Sequence, residues 1–148
     1  MRLFDRFKKK NTNERIPAKG QVDFDSLVER ARSGDPEQLT YLYAAFLNLD
    51  NWTYLASGND PEKPKPYIGE VDGQPWIFIF TDSIKASEFD QNPDGRTKVI
   101  KMDVDSSLHL IYKLNERGVY GIRVNEGENG WFCSIAELPN IIGYIKNK

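Results

Sequence analysis

Only one of the chain's 148 residues is cysteine and only one is histidine. Cys133 by itself closes no intrachain disulfide, which agrees with a reducing compartment. His109 and Cys133 together fall short of the four nitrogen or sulfur ligands that zinc takes, so no metal site is expected. Long hydrophobic runs are also missing. Trp76–Phe80 is the longest plainly apolar stretch, against the roughly 20 residues a membrane-spanning helix needs. Arg2 follows Met1, so the glycine required for myristoylation is lacking. The opening MRLFDRFKKK is basic but has no apolar core and no small-residue cleavage site. A secretory leader is therefore not expected, and a cytoplasmic address is. Neither GxGxxG nor GxxxxGK followed by Ser or Thr occurs, so no phosphate-cradling loop and no cofactor are expected.

What remains is the composition of a globular chain, 39% hydrophobic and 28% charged. At this length about two-thirds of the surface can be buried without metal or disulfide. Charge is unevenly placed. The overall net charge is −2, but residues 1–15 hold six basic and two acidic side chains, leaving −6 on residues 16–148. A body of that sign repels phosphate backbones, and no basic patch lies beyond the first ten residues, so nucleic acid is not an expected partner.

Residues 1–20 read as a basic arm ending in Pro17 and Gly20, and 21–148 as a single α/β domain, with α+β as the alternative. Phe24, Leu27, Val28 and Ala31 fall at helical spacing. Gly34 then breaks the chain, and Asp35-Pro36 supplies a cap and first-turn proline for a second helix with Leu39, Leu42, Tyr43, Phe46 and Leu47 inward. The two should form a hairpin. After them the period changes. Trp52–Ala56 reads as a strand, and SGNDPEKPKP as a loop whose prolines prevent ladder pairing. YIGEV and PWIFIF flank Asp72-Gly73, the favoured pair for a tight turn. Trp76–Phe80, apolar on both faces, reads as a central strand. A short helix at Ser83–Phe89, a strand at Lys98–Asp103 and a helix capped by Asp105 or Ser106 follow. A hairpin then runs across Glu126-Gly127-Glu128-Asn129, and Ser134-x-x-Glu137 opens a last helical segment that Pro139 bends or restarts. The expected architecture is an N-terminal helical hairpin followed by a mixed sheet with alternating helices.

Two passages carry a family likeness. DGQPWIFIFTDSIKASEF, from Asp72, resembles the "DG-x-P, apolar strand, T-D/S, helix" passage of the SseB N-terminal domain family. GVYGIRVNEGENGWFCSIAEL, from Gly118, is similar to that family's closing "G, strand, VNPG, W, strand, EL" passage, with Glu126 where the family often has proline. The resemblance covers roughly residues 52–146 and implies a small bacterial, cytoplasmic α/β domain with no catalytic residues to carry over. Some members are described as serine-sensitivity or rhodanese-like proteins, which raises Cys133 as a sulfur-transfer nucleophile.

Each candidate site has a plainer explanation. Cys133 precedes a capped helix, where a thiol pKa falls, but IAEL after it offers neither glycine nor arginine to cradle a persulfide, and WFC alternation suits a buried small residue. His109 between two leucines reads as a helix-flank residue. Asn125, Glu126, Glu128 and Asn129 lack the ordered spacing of a calcium loop, and a hairpin turn explains their glycine. The second helix of the hairpin has Glu37, Gln38 and Thr40 but no Arg or Lys to read DNA. The arm is harder to assign to folding: Leu3, Phe4 and Phe7 lie amid Arg2, Arg6, Lys8, Lys9 and Lys10, a basic amphipathic segment suited to an acidic protein groove or anionic lipid. The functional expectation is a non-enzymatic module with a protein partner that sequence does not name. The alternatives are a Cys133 thiol-transfer enzyme and a peripheral membrane protein using the arm.

Overall fold

The computed structural model describes residues 22–57, 65–90 and 97–147. They form a mixed α/β fold of five α-helices and two sheets. The described residues divide into two compact units, one of residues 22–50 with 139–147 and one within Asn51–Leu138. The arm residues Leu3, Phe4 and Phe7 lie outside the described residues.

In the first unit α1 (Phe24–Ala31) begins at Asp23, whose carboxylate accepts from the Ser26 N–H at 3.1 Å. It buries Phe24, Leu27 and Val28. Gly34 takes φ 89° between the helices, and Asp35 caps α2 (Pro36–Leu47) through the Glu37 N–H. The expected hairpin is present. Burial on α2, however, follows position along the helix rather than one stripe. Thr40–Phe46 are all buried, whereas the first turn stays at the surface and leaves Leu39 47% exposed, against the inward position its spacing suggested.

The second unit holds every described strand. β1 (Asn51–Ser57) is buried from Trp52 to Ala56. It pairs with β2 (Lys65–Pro66) on one side, so the proline-rich stretch does join the ladder at its end: Pro66 faces Ala56 beside the bond from the Tyr67 N–H to the Leu55 carbonyl (2.7 Å), at a position whose backbone groups point away from β1, so its missing N–H costs no bond. β3 (Ile68–Val71) and β4 (Gln74–Ile79) form an antiparallel hairpin in which Asp72 (φ 53°) and Gly73 (φ 79°) both take the positive φ of a type I′ turn. α3 (Ser83–Phe89) is capped by Asp82. β5 (Lys98–Asp103) lies antiparallel to β1. α4 (Val104–Glu116) starts directly off that strand. Its cap is Asp103, through the Ser106 N–H at 3.0 Å, not Asp105 or Ser106, because one residue ends the strand and opens the helix.

β6 (Gly121–Val124) pairs parallel with β4 and antiparallel with β7 (Trp131–Ser134), giving sheet orders β2-β1-β5 and β3-β4-β6-β7. Past its last residue β4 runs on to Phe80, which exchanges two backbone hydrogen bonds with Thr53 of β1 (2.8 and 2.9 Å) and links the sheets. β4 thus lies between β3 and β6 with Trp76–Phe80 all buried, as its unbroken apolar run requires. Ser134 caps a 3-10 turn, Ile135–Glu137, and α5 (Leu138–Lys146) restarts with Pro139 in its first turn, where the missing N–H has no bond to lose.

Candidate functional site

Strand alternation sorts the four-stranded sheet into two faces. Ile77, Ile79, Ile122, Val124 and Cys133 point to one, and all are buried. Trp76, Phe78, Gly121, Arg123, Phe132 and Ser134 share the other. On this second face Trp76 lies flat across Gly121. A Cβ there would stand 2.5 Å from both the Trp76 Cζ3 and the Cys133 carbonyl oxygen, so only glycine admits the indole. The Trp76 Nε1 donates to the Val71 carbonyl at 3.2 Å, which fixes the ring's tilt.

An aromatic and cationic patch is built on that ring. Tyr120 and Phe132 meet Trp76 edge-to-face at 5.1 and 5.6 Å. The Arg123 guanidinium lies over both rings, 5.0 Å from the Trp76 centroid and 4.8 Å from that of Phe132. Its Nε and Nη2 both donate to the Glu126 carboxylate, so the fork is held at one end by charge and along its face by π density. Beneath the patch Trp76 is only 7% exposed, while Tyr120 and Phe132 are 46% and 60% exposed. Two large rings are thus packed on Trp76 while about half or more of each remains in water.

The patch borders the last strand of the sheet. β7 ends the sheet order, and no described strand lies on its far side. The β6–β7 ladder continues at Ile135, whose N–H donates to the Tyr120 carbonyl at 2.9 Å. By antiparallel alternation Trp131 and Cys133 turn their backbone groups toward β6, and Phe132 turns its own outward.

The residues singled out in the sequence do not converge here. Cys133 stands in mid-strand, buried on the inner face and not in a loop of amides. Its neighbour Tyr112 is a phenol raised by burial and then by Cys133 itself, not the cation that stabilises a thiolate. His109 is exposed on α4. The Asn125–Asn129 turn holds no cation-binding arrangement, because its oxygens are engaged elsewhere. Asn125 is buried, its Oδ1 accepting from the Thr81 N–H (3.0 Å) and its Nδ2 donating to the Thr81 hydroxyl (3.0 Å), while Glu126 serves Arg123. Among the described residues no group of three or more His, Cys, Asp or Glu is placed to hold a metal ion, and no helix is long and apolar enough to cross a membrane.

Sequence reading missed the patch. Its signal was present in two places: Arg123, a lone charge in the strand GIRV, and Phe132, the large residue opposite Cys133 in the WFC alternation. No family model matches the chain, and no curated protein matches it.

Proposed function

We propose that the protein is a non-enzymatic interaction module of the kind its likeness to SseB N-terminal domains implies, acting in the cytoplasm, and that it takes a protein partner at the β7 edge. The observation that carries this reading is Phe132, 60% exposed and clamped by Arg123 beside outward-facing backbone groups. Exposed edges invite a further strand, which natural proteins normally blunt. Here the edge carries an aromatic side chain instead. Strand addition supplies affinity through main-chain hydrogen bonds and specificity through side-chain contacts. Burial of Phe132 adds about 1.5–3 kcal/mol, and aromatic and arginine residues are the usual interface anchors.

The test is photocrosslinking in the native host, with benzoylphenylalanine at position 132 and, as control, at His109 on α4. Discrete adducts at 132 that vanish with Arg123→Ala support the reading. Equal labelling at both positions, or none at 132, refutes it. Phe132→Ser should keep the circular dichroism spectrum and cost only the edge-to-face contact with Trp76, about 0.5–1.5 kcal/mol, since the ring is mostly in water.

A further inference from the structure

We draw no further inference here: the strongest candidate, the exposed aromatic surface patch of Tyr120 and Phe132 on Trp76 beside the β7 edge, belongs to the site already described, and nothing in the structure shows what covers it.

Discussion

Replacing Asn125 isolates the tie between the ends of the two parallel strands. Asn125 follows β6, takes φ 50°, and is buried. Its side chain accepts from the Thr81 N–H and donates to the Thr81 hydroxyl, 44 residues away in sequence. Its own N–H donates to the Ile79 carbonyl at 2.9 Å, a bond no substitution other than proline removes. Asn125→Ala leaves the part-buried Thr81 N–H without its acceptor, which costs about 1–3 kcal/mol. It also forces a Cβ-bearing residue with no side-chain compensation into the left-handed region, about 1–2 kcal/mol more. The expected loss is about 2–5 kcal/mol. Asn125→Gly loses the side-chain bonds but not the backbone fit, so it should cost about 1–3 kcal/mol. Asn125→Asp keeps an oxygen for the Thr81 N–H, the hydroxyl can rotate to donate to it, and the change should stay within about 1 kcal/mol. Urea unfolding followed by tryptophan fluorescence is the assay, since Trp52, Trp76 and Trp131 all lie between Asn51 and Leu138. An order other than Asp, then Gly, then Ala, or Ala and Gly alike within 0.5 kcal/mol (about the additivity error of such measurements), would refute the reasoning.

The Tyr54 hydroxyl is buried without a hydrogen bond of acceptable geometry; the nearby Ser107 hydroxyl points instead toward the Met102 carbonyl. Tyr54→Phe should therefore stabilise by about 1 kcal/mol in the same unfolding assay, and a loss of that size would show a partner in solution. Burial also raises the Tyr54 phenol well above its ordinary 10.0, so above pH 10 the unfolded chain ionises there first and stability falls as pH rises toward the raised value; alkaline melts should show Tyr54→Phe outlasting the wild type. Asp103 is shifted the other way, held below 3.8 by the Ser106 N–H and hydroxyl. Its contribution is full above that pH and lost as pH falls through the lowered value, so the melting-temperature gap between wild type and Asp103→Ala should be wide at pH 6 and close on strong acidification. Cys133 should react with a thiol reagent far more slowly in native protein than in urea, and fast native labelling would reopen the thiol-transfer alternative.

Much of the fold was legible in the sequence because its signals are local. Asp35-Pro36, Asp72-Gly73 and the apolar run at Trp76–Phe80 each state a backbone geometry within a few residues, and the structure has all three. The misreadings arise where one residue serves two elements or where burial is decided by distant neighbours. Asp103 was passed over as a cap because it also completes β5. Leu39 has the right spacing for α2, but its whole turn is outside the packed length. The patch was hidden for a related reason. Phe132 and Arg123 look like interior strand positions until the register sets them on the same face as Trp76, and no one-dimensional pattern states which face a distant strand will cover.

The motifs behind the SseB resemblance have a common physical character. Asp72 and Gly73 are consumed by a turn, Thr81 and Asn125 by each other, Gly127 by a φ of 140°, and Gly121 by the Trp76 ring. Each is required by backbone geometry or by a hydrogen bond that closes within the fold, which leaves none of them free for a ligand. The rings that reach the surface at the β7 edge, Tyr120 and Phe132, set no turn and close no hydrogen bond of this kind; they pack on Trp76 and remain 46% and 60% exposed. A likeness read from the first set therefore carries architecture. On the docking reading proposed above, domains that share every one of those motifs would differ in what they bind through a change at Phe132 alone.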